Sequence, residues 1–122
     1  MNPTDPASLR IAVVGTGEVA RKNYLPFLAA QPGVTFACWN RTGARAVEAG
    51  RHFGCEVLPT LEAVAAWQPT AALVLTAETV RHEVGTALIK LGVPKIFFEK
   101  PLVAVQGQAR VSEEDFTKGR EM

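Results

Sequence analysis

The sequence has 122 residues, of which 48% are hydrophobic, and its 13 basic and 12 acidic side chains leave a formal net charge of +1. This near balance gives no electrostatic reason to expect a nucleic acid or an anionic membrane as a partner. No apolar run approaches the ~20 residues of a membrane-spanning helix, and the first eight residues lack the layout of a secretory signal. Cys38 and Cys55 form no spaced metal motif, so we expect a buried free thiol at Cys38 and a cytoplasmic protein.

The first third of the chain alternates short apolar runs with a helix-like stretch. Residues 11–14 form a β-branched run that ends in glycine, and a helix is predicted at about 18–30. Pro26 lies inside that helix and has no backbone N–H to donate, so we expect a kink or a late helix start there. Residues 34–39 form the second predicted strand.

The same alternation continues to the end of the last apolar run. In chain order it predicts a helix at 44–53 with Gly54 as C-cap, a weak strand at 56–57, a short helix from Thr60 to residue 66 or 67, a strand at 71–75, a helix at 79–91 ending at Gly92, and a strand at 95–98. Strands without polar alternation, separated by helices, are typical of a parallel sheet covered on both faces. We therefore predict an α/β fold with a doubly wound, Rossmann-like parallel sheet and the first strand at its centre.

A glycine-rich turn follows the first strand and opens the first helix, in the pattern G-x-G-x-x-A. Gly15 permits a tight turn, Gly17 lets a pyrophosphate approach the backbone, and Ala20 lets helix and strand pack closely. The free N–H groups and the dipole at the helix start attract an anion. This context favours dinucleotide binding over a purely structural turn, with the site completed by Thr16, Glu18 and Val19.

The end of the second strand carries the residues expected to choose between cofactors. An acidic residue there holds the adenosine ribose in NAD enzymes, whereas a basic residue suits the 2′-phosphate of NADP. Here the strand is followed by Asn40, Arg41 and Thr42, with Arg45 one helical turn further on. Asn40 can bond a ribose hydroxyl, and Arg41 can pair with a phosphate and stack on adenine. We expect NADP, with NAD as the alternative if Arg41 is only a solvated loop residue.

A second motif, Glu99-Lys100-Pro101-Leu102, follows the last predicted strand. Together with the glycine turn it resembles the N-terminal domain of the Gfo/Idh/MocA family, the glucose–fructose oxidoreductase and inositol dehydrogenase group, over roughly residues 10–102. The resemblance implies that Lys100 lies beside the nicotinamide ribose and the substrate, where it orients them or relays a proton. It also implies that Glu99 and Pro101 shape that turn.

The sequence departs from the family pattern in two ways. After the fourth strand the family has Thr-Pro with a histidine a few residues on, whereas this chain has Thr76-Ala77, and the histidine position falls nearer Arg81 than His82. Thr76 and Ala77 remain candidates for lining the cofactor, and His82 is equally well explained as a solvated residue. The second departure is length, because the family's catalytic aspartate and histidine come from a second α/β domain that these 122 residues do not include.

These observations predict three segments: an N-terminal extension at 1–9, a dinucleotide-binding domain at 10–105 and a polar tail at 106–122. In the tail Ser112 resembles a helix N-cap, and the helix has no terminating signal before Met122. We expect the natural polypeptide to continue, the alternative being a frayed tail. The last strand then presents an open edge, expected either to meet the missing domain or to cause self-association.

The favoured interpretation is the NAD(P)-binding domain of an oxidoreductase that transfers a hydride between nicotinamide and a small hydroxylated, carbonyl or imine substrate. Without a second domain it should be inactive alone, since it cannot enclose a substrate or exclude water. Two alternatives remain open from the sequence. One is a non-catalytic module that senses NADP(H), and the other is a small coenzyme A-binding or nucleotide-binding domain, which the motif at Lys100 disfavours.

Overall fold

The computed structural model describes residues 9–77 and 79–98. Its strands are β1 Leu9–Val14, β2 Val34–Trp39, β3 Glu56–Val57, β4 Ala71–Val74 and β5 Ile96–Phe98. Its helices are a π-helical turn at Ala20–Tyr24, α1 Leu25–Ala30, α2 Gly43–Phe53, α3 Leu61–Ala66 and α4 Arg81–Lys90. None of the helices in these ranges is long and apolar enough to cross a membrane. The predicted polar tail at 106–122 and nearly all of the predicted N-terminal extension lie outside the described residues.

The sheet is parallel throughout its described strands, in the order β3-β2-β1-β4-β5. The first strand is therefore central and the order reverses beside it, which confirms the predicted doubly wound topology. The register aligns Val14 with Trp39 of β2 and with Val74 of β4, and Val74 with Phe98 of β5. All these residues end their strands, so the segments that follow them emerge together at the carboxyl ends of the strands. This side of the sheet is called its carboxyl edge below.

Successive residues of β1 point to opposite faces of the sheet, and each face has its own apolar core. Val13 packs on one face in a cluster that includes Leu25 of α1 and Ala46 of α2. Val14 packs on the other face with Val64 of α3 and residues of α4. Both strand residues are fully buried. From Ala12 to Val14 the central strand has no solvated face, which explains why its second half is apolar without alternation.

Local signals fixed several helix ends as predicted. Thr60 is the N-cap of α3, where its side-chain oxygen accepts a hydrogen bond from the backbone N–H of Ala63 at 3.0 Å. Gly54 ends α2 with a φ of 72°, and Gly92 follows α4 with a φ of 84°, both in the left-handed region that favours glycine. These predicted caps are confirmed.

One helix prediction is confirmed and another needed correction. Pro26 does disturb the first helix, and the disturbance is a π-helical turn in which the N–H of Leu25 bonds the C=O of Ala20. Pro26 then occupies the first turn of α1, where its missing N–H is tolerated. The helix predicted to begin at Thr79 begins instead at Arg81, because the N–H of Val80 bonds the C=O of Ala77 in a separate turn.

Candidate functional site

The turn after β1 can be made only by glycine at its first position. Gly15 has a φ of 110°, and a Cβ there would lie 2.7 Å from the backbone nitrogen of Thr76 and 2.8 Å from the carbonyl carbon of Leu75. The N–H of Gly15 also bonds the C=O of Trp39 at 2.7 Å. The turn is thus pressed against the chain leaving β4 and tied to the end of β2, and the fold itself accounts for the glycine.

Gly17, the second glycine of the motif, is in a different situation. A Cβ at Gly17 would have no atom within 4 Å, and its φ lies outside the left-handed region. Neither packing nor backbone strain therefore requires glycine at this position. Its missing side chain leaves the backbone open to an approaching group, which is the geometry a pyrophosphate needs.

The helix after the turn presents unbonded donors to the same space. Its first helical hydrogen bond runs from the N–H of Arg21 to the C=O of Gly17 at 3.0 Å, so the amides of residues 18–20 precede the hydrogen-bonded turns. The side chains of Glu18 and Val19 are exposed, whereas Ala20 is buried against the sheet as predicted. This helix start can therefore receive an anion on its backbone N–H groups.

Two threonine hydroxyls lie buried at the ends of neighbouring strands. Thr16 follows β1, and Thr76 follows β4. Neither Oγ1 atom has a hydrogen-bond partner among the residues that the structure describes. A buried hydroxyl without a partner is costly in a folded protein, so such atoms mark positions where a ligand can complete the bonding.

Asn40 connects the glycine turn to the end of β2. Its Oδ1 accepts a hydrogen bond from the backbone N–H of Thr16 at 2.9 Å, and its Nδ2 donates to the C=O of Thr42 at 3.1 Å. Thr42 is in turn the N-cap residue of α2, and its side chain makes no capping bond. The structure therefore gives Asn40 a positioning role that the sequence did not predict, and the proposed ribose contact would use its remaining N–H.

Arg41 reaches across the carboxyl edge of the sheet. Its Nη2 atom lies 2.8 Å from Oε2 of Glu83, in the first turn of α4. The side chains of Arg41 and Glu83 are 55% and 70% exposed, so the ion pair is solvated and its net contribution to stability is small. A phosphate could displace the Glu83 carboxylate at little cost.

A cavity of about 400 Å³ lies beside the glycine turn and reaches α2. Its five charged lining residues are Glu18, Arg21, Lys22, Arg45 and Glu48. Lys22 pairs with Glu18 at 2.6 Å, and Arg21 pairs with Glu48 at 3.3 Å. The hydrogen bond from Lys22 lowers the pKa of Glu18, so that carboxylate is charged at neutral pH. Arg45 has no ion pair within residues 9–77 and 79–98, which leaves the cavity with one uncompensated positive charge.

The segment after β4 leads to a buried cation, Arg81, which the sequence indicated only as the position nearest the histidine of the family pattern. Arg81 is 2% exposed, and its Nη2 donates to the C=O of Thr76 at 2.7 Å. The sequence contains a pattern that indicates this burial. Arg81 shares one face of the helix with Val84, Gly85 and Leu88 by their spacing, and all four are buried. Ala77 is exposed and begins the turn to α4, while His82 is half-buried. Thr76 and Ala77 thus lie at the edge predicted for them.

The structure brings together most of the predicted site residues. Gly15 to Val19, Asn40 to Thr42, and Thr76 with Ala77 follow β1, β2 and β4, and these strands end side by side. Glu99, Lys100 and Pro101 lie outside the described residues. The part of the site that is described can hold an extended anionic molecule against backbone amides at one point and a guanidinium at another.

Known proteins share the sequence pattern of this chain. The family model described as an oxidoreductase family with an NAD-binding Rossmann fold, GFO_IDH_MocA, matches residues 9–115. The dTDP-3,4-didehydro-2,6-dideoxy-alpha-D-glucose 3-reductase of Streptomyces antibioticus is 31% identical over 102 residues, which are 83% of this chain and 31% of that protein.

Solved structures share its fold. A Gfo/Idh/MocA family oxidoreductase from Vibrio cholerae matches with a TM-score of 0.73 and 25% identity, covering 93% of this chain and 36% of that chain. A 3-ketoreductase from Actinomadura kijaniata in complex with NADP matches with a TM-score of 0.69 and 26% identity, covering 93% and 36%. The chain therefore spans about a third of the length of the relatives that it matches.

Proposed function

The chain belongs to the Gfo/Idh/MocA family of oxidoreductases, and on that premise we propose that it binds NADP in preference to NAD at the carboxyl edge of its sheet. It has the NAD(P)-binding Rossmann domain of that family. The chemistry that a nicotinamide dinucleotide supplies when bound is hydride transfer.

The observation that carries the proposal is the contrast between Gly15 and Gly17. The fold requires the first glycine, since a side chain there would collide with the backbone after β4. It does not require the second, whose side-chain position is open. Since no contact within the described chain requires glycine at Gly17, the glycine supports a bound ligand at this position. A pyrophosphate lying on the helix start is such a ligand.

The residues beside the turn fit the polar parts of a dinucleotide. The amides of residues 18 and 19 would hold the pyrophosphate oxygens, with the buried hydroxyl of Thr16 as a further donor. The hydroxyl of Thr76 and the backbone at Ala77 would line the path toward the nicotinamide. Both hydroxyls otherwise lack a partner in the described part of the chain, and this supports a ligand rather than a structural role.

The preference for NADP rests on the charges at the end of β2. No carboxylate follows this strand, where NAD-specific domains use one for the ribose hydroxyls. Arg41 is available for a 2′-phosphate once it leaves Glu83, and Arg45, in the first turn of α2, contributes a cation that has no ion pair among the described residues. A charge-assisted contact to a phosphate is worth ~1.5–3 kcal/mol, more than the ~0.2–1 kcal/mol of an exposed ion pair. The exchange therefore favours the phosphate.

Lys100 is proposed as the residue that orients the substrate or relays a proton at its reacting oxygen, with Glu99 and Pro101 shaping its turn. This role rests on the family resemblance of Glu99-Lys100-Pro101. It is consistent with the position of β5, whose last residue is level with Val74 at the carboxyl edge. An ammonium there can stabilise a developing alkoxide or give up a proton to it.

The substrate proposed for the whole protein is a sugar or related compound with a hydroxyl or carbonyl at the reacting carbon. The Streptomyces antibioticus relative is named a 3-reductase of a deoxysugar nucleotide, and the Actinomadura kijaniata protein is named a 3-ketoreductase. These relatives are about three times as long as this chain. We propose that residues 1–122 by themselves bind the dinucleotide and do not turn over a substrate.

The experiment that tests cofactor binding is a titration of the 122-residue chain with NADPH and with NADH. Binding is measured by calorimetry and by nicotinamide fluorescence. The proposal predicts saturable binding of one molecule per chain and tighter binding of NADPH. Absence of binding by either dinucleotide to a folded chain would overturn it.

A second proposal concerns association through the last strand. β5 forms the edge of the described sheet, and Phe97 on that strand is 57% exposed. An edge strand with an exposed aromatic residue recruits another segment, either further polypeptide or a second copy of the chain. Light scattering over a concentration series should show concentration-dependent association that Phe97→Lys weakens. A protein that is monomeric at every concentration would contradict self-association.

A further inference from the structure

Two thiols lie in contact between the last residues of β2 and the segment that leads into β3. The sulfur atoms of Cys38 and Cys55 are 3.7 Å apart. Cys38 is in β2 and fully buried, whereas Cys55 follows the end of α2 and is half-buried. Both are free cysteines. The buried thiol at Cys38 was expected from the sequence, and its contact with Cys55 was not.

The backbone around Cys55 is held close to β2 by several contacts. The N–H groups of Gly54 and Cys55 both bond the C=O of Gly50, at 2.8 Å and 3.1 Å. A Cβ at Gly50 would lie 2.9 Å from the carbonyl oxygen of Cys55, so glycine lets this segment pack against the helix. On the other side, the C=O of Cys38 accepts from the N–H of Leu58 at 2.8 Å. The thiol pair is therefore fixed by the fold around it.

The two sulfur atoms differ in access and in acidity. Cys55 is half-buried and lines an open cavity of about 560 Å³ that also includes Arg10 and Glu56, so a small solute can reach this residue. Cys38 has no exposed surface and meets only protein, its Sγ donating to the C=O of Ala46 at 3.5 Å. The hydrogen bond between the thiols lowers the pKa of Cys55 and raises the pKa of Cys38, with burial adding to the second shift. The more accessible cysteine is thus also the more nucleophilic one at neutral pH.

We propose that Cys55 and Cys38 form a reversible oxidation site for hydrogen peroxide, with Cys55 as the attacking thiol and Cys38 as the resolving thiol. The thiolate of Cys55 attacks one peroxide oxygen. An S–O bond forms as the O–O bond breaks, and hydroxide leaves and is protonated to water. The sulfur of Cys55 is oxidised by two electrons to a sulfenic acid, and the peroxide is reduced.

The second step uses the neighbouring thiol. The sulfur of Cys38 attacks the sulfur of Cys55, so that an S–S bond forms as the S–O bond breaks. The departing hydroxide takes the proton of Cys38 and leaves as a second water. The sulfur atoms must close from 3.7 Å to about 2.05 Å, which side-chain rotation of the half-buried Cys55 can supply.

The resulting bond would close a loop that carries the cofactor-reading residues. Cys38 and Cys55 are 17 residues apart, and the enclosed segment contains Asn40, Arg41 and all of α2. Oxidation would therefore fasten α2 to the strand beneath it. A bridge across a loop of this length also raises the melting temperature, by roughly 5–15 °C if the native geometry accepts it without strain.

The test is oxidation of the reduced 122-residue chain with equimolar hydrogen peroxide, followed by maleimide labelling, whole-protein mass spectrometry and peptide mapping. The expected product is a monomer lighter by two hydrogens, with both thiols unlabelled and with Cys38 linked to Cys55. Dithiothreitol should restore both thiols. Free thiols at both positions under conditions that oxidise free glutathione, or a link between Cys55 residues of two chains, would overturn the proposal.

Two variants test the assigned order of the thiols, with circular dichroism reporting whether each is folded. Cys38→Ser should stop the reaction at Cys55 and yield one dimedone adduct per chain. Cys55→Ser should leave Cys38 unreacted in the folded chain and reactive after unfolding in guanidinium chloride. Dimedone labelling of Cys38 in folded Cys55→Ser protein would overturn the assignment. If a variant is unfolded, the order of the thiols is tested by treating the parent with peroxide in the presence of dimedone. The proposal then predicts the dimedone adduct on Cys55.

Discussion

The backbone N–H of Thr16 donates a 2.9 Å hydrogen bond to the side-chain oxygen of Asn40, a residue 24 positions away in the sequence. The same side chain donates from its nitrogen to the C=O of Thr42. One asparagine therefore sets the spacing between the turn proposed to hold the pyrophosphate and the loop proposed to read the adenosine ribose. Substitutions at Asn40 should affect both ends of the site.

Asn40→Asp should remove most or all of the preference for NADPH over NADH. A carboxylate at this position keeps an oxygen for the N–H of Thr16, accepts the ribose hydroxyls of NAD and repels a 2′-phosphate. The ratio of NADPH to NADH affinity should fall roughly tenfold to a hundredfold, as expected for a charged contact. Asn23→Asp adds the same charge at an exposed position and serves as the control. An unchanged ratio would show that Asn40 does not face the ribose.

Gly15→Ala should destabilise the fold. A left-handed backbone at a non-glycine residue costs about 1–3 kcal/mol, and a Cβ here also meets the backbone of Leu75 and Thr76 at less than 3.0 Å. We expect a loss of more than about 2 kcal/mol in the free energy of unfolding, measured by urea denaturation. An unfolding free energy within error of the parent would mean that the turn relaxes at no cost and that the glycine is not structural.

Arg41→Ala should weaken NADPH selectively. Removal of a guanidinium that pairs with the 2′-phosphate costs ~1.5–3 kcal/mol, or roughly tenfold to a hundredfold in the dissociation constant. NADH affinity should change little, because NADH has no 2′-phosphate. The control is Arg51→Ala, which removes the same charge from an exposed position in the last turn of α2. Equal losses for both dinucleotides would assign Arg41 to adenine stacking instead.

Glu83→Gln should strengthen NADPH binding. The substitution removes the carboxylate that pairs with Arg41 at 2.8 Å and therefore competes with the phosphate. The gain is limited by the small strength of an exposed ion pair, so we expect roughly a twofold to fivefold lower dissociation constant. Glu62→Gln removes the same charge from the first turn of α3 and should have no effect. Weaker NADPH binding by Glu83→Gln would indicate that Glu83 itself contacts the cofactor.

Much of the fold could be predicted because its determinants are local. Glycine after a helix, threonine before one and apolar runs of strand length each act within a few residues, and they gave the element order and the central first strand. The form of the irregularity at Pro26 was less predictable. A proline excludes one hydrogen bond, but whether the helix kinks or widens into a π turn depends on the tertiary packing of Ala20 and Leu25.

The candidate site was predictable where its residues follow strands, and less so where side chains meet across the sheet. Arg41 and Glu83 are 42 residues apart, and their contact depends on how β2 and α4 are placed around β1. The contact between Cys38 and Cys55 likewise depends on how α2 returns to the sheet. Glu99, Lys100 and Pro101 came from a family resemblance, and their roles stay predictions.

Gly17→Val is the most direct test of dinucleotide binding at the turn. A Cβ at Gly17 meets no protein atom within 4 Å and the backbone is not left-handed, so the melting temperature should stay close to that of the parent. Gly43→Val, at a second open glycine, controls for the substitution itself. In calorimetric titrations with NADPH, the account predicts saturable binding by the parent and by Gly43→Val and none by Gly17→Val. Parent-like NADPH affinity in folded Gly17→Val protein would contradict it.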